Sequence, residues 1–206
     1  MEERIKKFSS FRICEHAVAM IVFFVLIFTG LPQKFYNLEI SKTVINLFGG
    51  IDMMRLIHRN TGLFFCFQIL VHIIYGAVGL YRGVEANIFI TKKDFRDAIH
   101  NLRYYLGFET VPAATDLFTY RQKFEYWGVL TGSILMALTG LILRFPVTAT
   151  DILPGILIPA SKLIHSNHAI ILVIIIIWHL YNSVFNPEVF PLNRSIFTGY
   201  VYRGKV

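Results

Sequence analysis

The stretch KLIHSNHAIILVIIIIWHLYNSVF, residues 162–185, contains an apolar run long enough to cross a bilayer and carries three histidines. Ionisable side chains are costly inside a membrane, so histidines within such a span indicate a functional site. His165 and His179 are fourteen residues apart. At about 100° per residue they point to nearly one face of a helix and lie about 21 Å apart along its axis. This spacing is suited to two cofactors stacked across the membrane.

A similar stretch lies upstream, LIHRNTGLFFCFQILVHIIY at residues 56–75, where His58 and His72 are again fourteen apart. The spans that precede these two stretches also align with each other. RICEHAVAMIVFFVLIFTGL matches RQKFEYWGVLTGSILMALTGL when the two Thr-Gly-Leu triplets, residues 29–31 and 139–141, are superposed. On that register Glu15-His16 falls on Glu125-Tyr126. The chain therefore consists of two parallel repeats of two spans each.

Composition agrees with a membrane protein, since 55% of the 206 residues are hydrophobic and only 16% are charged. We expect one all-α integral membrane domain over residues 1–206, a four-transmembrane-helix bundle built from the two parallel two-helix repeats. The predicted spans are about 16–34, 56–81, 124–145 and 163–185. The first is short and needs its flanks to cross the hydrocarbon.

The distribution of charge predicts the orientation of the chain. Fourteen of the twenty Lys and Arg residues lie in the amino-terminal segment, the 81–123 loop and the carboxyl tail. By the positive-inside rule these three segments, and so both termini, face the cytoplasm. The charge brackets the spans rather than forming one patch, which argues against nucleic-acid binding. We expect residues 1–12 to be a frayed lead-in.

The long middle loop is predicted to contain an amphipathic helix over about 92–107. Thr91 and Asp94 have the spacing of a capping box, with Asp in place of the usual Glu. The apolar residues after it recur at helical spacing, with basic residues outside that stripe; they are Phe95, Ile99, Leu102 and Leu106. We interpret the segment as a helix lying on the cytoplasmic surface of the membrane.

Imidazole is a good ligand for haem iron, and an iron with two axial histidines moves single electrons because it has no open position. Spans two and four run in the same direction, so their histidines meet at matching depths. This predicts His58 with His165 at the outer side and His72 with His179 at the inner side. The basic residues near the outer pair could neutralise haem propionates; they are Arg55, Arg59 and Lys162.

Several alternatives remain at this stage. His168 could replace His165, because eleven residues also keep it near the face of His179; the match with span two favours His165. A proton-relaying transporter built from repeats would also place histidines in its spans. A third hypothesis is a membrane anchor subunit that contains no haem. The two cysteines, Cys14 and Cys66, do not form a C-x-x-C pair, which argues against zinc and against c-type haem attachment.

Three parts of the chain resemble the cytochrome b (gamma) subunit of formate dehydrogenase: RICEHAVAMIVFFVLIFTGLPQKF, RLIHR, and LPGILIPASKLIHSNHAIILVIIIIWHLYNSVFNPEVF. They are more similar still to cytochrome b/b6-domain proteins that accompany multihaem cytochromes c. The resemblance covers all four spans. It implies a four-helix subunit with two b-type haems that reacts with quinone and anchors a redox partner.

The resemblance also implies axial ligands: His58 with His165, and His16 with His179. This chain departs from the family by also having His72, so the two lines of reasoning differ at the inner site. The repeat predicts His72 as the partner of His179, whereas the family resemblance implies His16. We adopt His16, and expect His72 to hydrogen-bond a propionate or a quinone headgroup.

Taken together, the sequence predicts an electron-transfer subunit of the bacterial or archaeal cytoplasmic membrane. It would connect a menaquinone or ubiquinone pool to a periplasmic or membrane-bound redox subunit, either an iron–sulfur protein or a multihaem cytochrome c. The main catalytic site would lie in that partner. Candidates for the quinone site on the cytoplasmic side are Arg12, Glu15, His16 and His72.

Overall fold

Four long helices, each apolar enough to cross a membrane, dominate the computed structural model, which describes residues 4–83, 86–114, 116–187 and 189–202. They are α1 (Ser10–Lys34), α3 (Ile51–Tyr81), α5 (Tyr120–Arg144) and α7 (Leu157–Leu180), and a π-helical turn over Tyr181–Phe185 continues the last one. The prediction of an all-α protein with four membrane spans is confirmed. Each helix begins four to six residues before its predicted start, because its first turn extends beyond the long apolar run from which the span was predicted.

Shorter elements connect these helices. In chain order they are strand β1 (Arg4–Lys6), helix α2 (Glu39–Leu47), a 3-10 turn (Ala86–Ile88), helix α4 (Lys92–Tyr105), helix α6 (Pro146–Ile152), helix α8 (Ser195–Thr198) and strand β2 (Tyr200–Tyr202).

The first turns of α1 and α5 are capped by side chains. Ser9 Oγ accepts a hydrogen bond from the backbone N–H of Arg12 at 3.2 Å, at the start of α1. Thr119 and Gln122 form a reciprocal capping box at the start of α5, with side-chain to backbone distances of 3.3 and 3.2 Å. Neither cap was predicted from the sequence.

The chain divides into two compact units, one of which comprises residues 14–73 and 130–178. Its apolar core contains Val22 of α1 with Phe65 and Ile69 of α3, and Ile134 and Ala137 of α5 pack against them. Many large apolar side chains of this unit point outward, among them Ile21, Phe24, Phe67, Ile174 and Ile177. An apolar exterior is what a protein surrounded by lipid requires.

The other unit comprises residues 1–13, 74–129 and 179–206. In it β1 pairs with β2 in an antiparallel ladder in which Ile5 is opposite Val201. The prediction that the first twelve residues are frayed is therefore wrong for residues 4–12, while residues 1–3 lie outside the described chain. A three-residue strand has no periodicity from which it could be foreseen, and its partner lies almost two hundred residues away.

Gly199 makes the turn into β2 possible. Its φ of +80° lies in the left-handed region, and an added Cβ would be 2.8 Å from the carbonyl oxygen of Phe8. The carbonyl oxygen of Gly199 accepts hydrogen bonds from the backbone N–H groups of Lys7 and Phe8, at 2.8 and 3.1 Å.

Helix α4 has the predicted capping box. The Asp94 carboxylate accepts hydrogen bonds from both the backbone N–H and the hydroxyl of Thr91, each at 2.7 Å. Asp94 is buried and also forms an ion pair with Lys123 of α5, with Oδ1 and Nζ 2.8 Å apart. Burial alone would raise the pKa of Asp94, but the hydrogen bonds from Lys123 and Thr91 outweigh it and leave the pKa below its ordinary value.

The apolar residues of α4 face away from the protein interior. Those of the predicted stripe are between 56% and 62% exposed: Phe95, Ile99, Leu102 and Leu106. Asn101, on the opposite face, is buried, and its side-chain oxygen accepts a hydrogen bond from the backbone N–H of Ala113 at 2.7 Å. This arrangement accords with a surface helix whose apolar side meets lipid, and the membrane contact itself stays a prediction.

Candidate functional site

Two of the predicted histidines face each other in the unit formed by residues 14–73 and 130–178. The ring centroids of His58 and His165 are 6.4 Å apart, and the ring planes are nearly perpendicular at 87°. Metal–imidazole bonds of about 2.0–2.1 Å would set the centroids of two axial ligands roughly 6 Å apart. The pair therefore fits one iron atom between the two rings.

Each of these rings is held by a threonine. Thr29 Oγ1 is 2.9 Å from His58 Nδ1 and donates its hydrogen to the carbonyl oxygen of Val25 at 2.7 Å. A hydroxyl has one hydrogen, so Thr29 accepts the hydrogen bond from Nδ1–H of the histidine. This leaves Nε2 of the neutral ring free to bind a metal. Metal-ligating histidines commonly donate their other ring N–H to a neighbouring acceptor in this way.

The second repeat has the same construction. Thr139 Oγ1 donates to the carbonyl oxygen of Leu135 at 2.7 Å and lies 3.0 Å from His165 Nδ1. Thr29 and Thr139 are superposed in the repeat, which predicted their equivalence but not their contact with histidine. Both threonines are buried.

The glycines after these threonines make room for the histidine rings. A Cβ at Gly30 would be 3.0 Å from Cε1 of His58, and a Cβ at Gly140 would be 3.2 Å from Cε1 of His165. In the structure each glycine accommodates the imidazole of the candidate ligand on the neighbouring helix.

A cavity of about 910 Å³ surrounds the two histidines, within the upper range of about 300–1,000 Å³ for cofactor and ligand sites. Its walls are mostly apolar. Small residues line the cavity one turn after each histidine, Gly62 after His58 and Ala169 after His165, and they leave space beside the rings. A Cβ at Gly62 would meet no atom within 4 Å. The space and the two rings together fit a flat cofactor with a central metal.

Basic side chains line the cavity near the ends of the helices. Among its described lining residues there are six cations and no carboxylate; the cations are Lys34, Lys42, Arg55, Arg59, Arg144 and Lys162. Three of these were predicted from sequence to meet propionates. The sequence analysis did not single out Arg144, whose buried Nε has no hydrogen-bond partner among the described residues.

His168 has a different environment from His165. Its buried Nε2 has no hydrogen-bond partner among the described residues, and a Cβ at Gly132 would be 2.8 Å from that nitrogen. The cavity lining includes His165 and not His168. This geometry favours His165 as the residue that faces the cavity.

The inner histidines of the two repeats also share one construction, in which a glutamate replaces the threonine. In the unit of residues 14–73 and 130–178, His72 Nδ1 lies 3.0 Å from Glu15 Oε1. Gln68, one turn earlier on α3, donates from Nε2 to the backbone oxygen of Glu15 at 3.2 Å. His16, the other candidate, lies in the same unit on α1 and is half-buried.

In the unit of residues 74–129 and 179–206, His179 Nδ1 lies 2.9 Å from Glu125 Oε2. The other carboxylate oxygen of Glu125 accepts a hydrogen bond from Nδ2 of Asn182, which lies in the π-helical turn. Glu125 is buried, and it is the repeat equivalent of Glu15. The repeat register showed this equivalence, and the carboxylate–histidine pairs are a finding of the structure.

No three His, Cys, Asp or Glu side chains come together as a cage for a metal ion within the part of the chain that the structure describes. What the site offers is a set of single histidines, each with Nδ1 bonded to a threonine or a glutamate, on helices that span the membrane. Such an arrangement defines a membrane cytochrome b.

The chain belongs to a particular family of that class, because it matches the family model of prokaryotic cytochrome b561 over residues 7–199. This family consists of membrane proteins that bind b-type haem and transfer electrons. Comparison with the curated proteins gives no match. The narrower resemblance to the gamma subunit of formate dehydrogenase stays a prediction.

Proposed function

We propose that this protein carries electrons through the cytoplasmic membrane on two b-type haems, between a quinone pool and a redox partner on the outer side. A haem with two axial histidines supplies one-electron oxidation and reduction. The observation that best supports the proposal is the facing pair His58 and His165, 6.4 Å apart, with both Nδ1 atoms held by threonine.

In this proposal His58 and His165 hold the outer haem. Thr29 and Thr139 orient the rings, and Gly62 leaves space beside them. The basic residues at the cavity rim bind the propionates, and we add Arg144 to the three cations proposed from sequence. Arg144 lines the cavity, and its buried Nε has no hydrogen-bond partner among the described residues, so a propionate carboxylate would satisfy this donor.

His179 is a ligand of the inner haem under either pairing. His16 is the second ligand that the family resemblance implies. His72 gains support from the structure, since its Nδ1 is bonded to a carboxylate in the same way as that of His179. The residue of the two that is not a ligand then belongs to the quinone site, together with Glu15 and Gln68.

The proposal is tested by the absorption spectrum and haem content of the purified protein. We expect a b-type spectrum and two haems per chain by pyridine haemochrome assay. His58→Ala and His165→Ala should each lose one haem, and His168→Ala, the matched control on α7, should keep both. A colourless wild-type protein would contradict the proposal and favour a transporter or a haem-free anchor.

The inner ligand is identified by comparing His16→Ala with His72→Ala. Loss of an axial histidine converts a low-spin haem to high-spin or releases it, whereas loss of a neighbouring histidine leaves it low-spin. EPR spectra of the two variants identify which histidine is the axial ligand. The rate of quinol oxidation tests whether the other histidine belongs to the quinone site.

Orientation is tested by cysteine labelling in a background without Cys14 and Cys66. Arg96 of α4 and Asp151 of α6 are both exposed. Arg96→Cys should react with an impermeant reagent only from the cytoplasmic side, and Asp151→Cys only from the outer side. The reverse pattern would invert the placement of both haems.

A further inference from the structure

The two candidate ligands on α7 differ in the charge of the group that holds them. Thr139 accepts the hydrogen bond from His165 Nδ1–H through a neutral hydroxyl. Glu125 accepts the bond from His179 Nδ1–H through a carboxylate, which is acceptor-only when ionised. The first repeat has the same division, with Thr29 at His58 and Glu15 at His72.

The carboxylate of Glu125 is held in place. Its side chain is only 7% exposed, and Asn182 donates to Oε1 while His179 lies at Oε2. A buried negative charge is screened little by solvent, so it acts strongly on groups nearby. A carboxylate at Nδ1 also makes the imidazole a more basic ligand, which favours the more positively charged state of a bound metal.

The outer pair has the opposite surroundings. The cavity that contains His58 and His165 is lined by six basic side chains and, among its described residues, by no acidic one; two of the six, Lys42 and Arg55, form ion pairs with Glu39 and Asp52 outside the lining. Positive charge near a haem favours its reduced state. The carboxylate beside His179 and the basic side chains around His165 therefore both place the reduction potential of the His179 haem below that of the His165 haem.

We propose that Glu125 is a positioning residue that lowers the reduction potential of the haem bound by His179 below that of the haem bound by His165. This inference rests on the proposed function, because it requires both haems. A single electron given to the fully oxidised protein would then reside at the His165 site, with the iron at His179 remaining oxidised. The difference between the two reduction potentials would then arise from the groups bonded to Nδ1, because the axial ligands are histidines at both sites.

The test is a redox titration followed by optical and EPR spectroscopy on the purified protein with both haems. Wild-type protein should show two midpoint potentials. In His165→Ala, the haem that remains should have the lower one. Glu125→Gln keeps a hydrogen-bond acceptor and removes the charge, so it should move that lower potential to a more positive value and leave the other unchanged. Thr139→Val should move only the higher potential.

Glu15→Gln is the matched variant in the first repeat. It should shift the same low potential about as much as Glu125→Gln does if His72 is the inner ligand, and by less if His16 is, because Glu15 would then act through its charge alone. If Glu125→Gln releases the inner haem, Asn182→Leu provides the measurement, because it loosens the carboxylate without removing its charge. It should give a smaller positive shift.

The inference is overturned if the haem left in His165→Ala has the higher potential. It is also overturned if Glu125→Gln, or Asn182→Leu where the former cannot be measured, keeps two haems with unchanged potentials. Absence of haem from the wild-type protein would instead overturn the proposed function, so the two failures are distinguishable by haem content.

Discussion

The imidazole of His58 rests against the backbone of Gly30, and a Cβ added to that glycine would come within 3.0 Å of Cε1 of the ring. Such a distance is shorter than the contacts that Cβ atoms make, so the ring would have to move by a few tenths of an ångström. The adjacent residue, Thr29, holds Nδ1 of the same ring. The two neighbours thus position one histidine from two directions.

We therefore expect Gly30→Ala to weaken haem binding at the outer site. Displacement of a ligand from its supporting hydrogen bond typically costs about 10–100-fold in metal affinity. Haem titration of the apoprotein would measure the loss. Gly155→Ala is the matched control, because a Cβ at Gly155 meets nothing within 4 Å. Equal haem affinity in the two variants would contradict the role assigned to Gly30.

Replacing Gly62 with a larger residue should favour folding of the apoprotein and weaken haem binding. It lies in the interior of α3, where leucine is favoured over glycine by about 0.8–1 kcal/mol in helix propensity. Leucine would also occupy the open part of the cavity. Gly62→Leu should therefore retain or raise the unfolding free energy of the apoprotein and lose the outer haem. Ala77→Leu, at an exposed position on the same helix, should keep both haems.

The ion pair between Asp94 and Lys123 should be important for stability. The two side chains are only 3% and 6% exposed, so Lys123→Met would leave a buried carboxylate without its cation. Breaking a buried pair in this way typically costs about 3–5 kcal/mol. Denaturant unfolding in detergent would measure it. Lys93→Met, which breaks more exposed pairs with Asp97 and Asp116, should cost only about 0–1 kcal/mol.

Lys7 should make stability depend on pH in the alkaline range. Its ammonium group donates to Gln122 Oε1 at 2.9 Å and lies 4.7 Å from the ring centroid of Phe118. Burial lowers the pKa of Lys7 from 10.5 to about 8. Between these two values the unfolded chain binds more protons than the folded one, so the free energy of unfolding rises as pH increases.

The gain across that pH range is at most about 3.5 kcal/mol, at about 1.4 kcal/mol for each of the roughly 2.5 pH units between the two pKa values. Lys7→Met should remove this component, which is seen as the difference between the pH profiles of the two proteins. Parallel profiles for wild type and variant between pH 8 and 10.5 would show that the ammonium group is not desolvated on folding.

The parts of the fold that could be predicted are those that follow from a long-range pattern. Fourteen-residue spacing places His58 and His72 on one face of α3, and His165 and His179 on one face of α7. Superposition of the repeats also makes Thr29 equivalent to Thr139, and Glu15 equivalent to Glu125. Equivalence in a repeat does not reveal a contact, however, because the distance between side chains depends on how two helices pack.

Local features without a pattern were missed. The space beside Gly62 results from helix packing, and a single glycine in an apolar helix has several possible reasons. Arg144 was not predicted as a site residue, because cations are common at the ends of helices. The pairing of β1 with β2 depends on two three-residue segments that are too short to show a strand pattern in the sequence.

That strand pair also determines how the protein would respond to force. Arg4 and Tyr202 are register partners, so a load applied at the two chain ends would act on neighbouring positions of one antiparallel ladder. The hydrogen bonds of such a ladder would then be loaded one after another, and not all at once. In a pulling experiment the first and weakest extension would come from this unzipping, before any of the four long helices leaves the membrane.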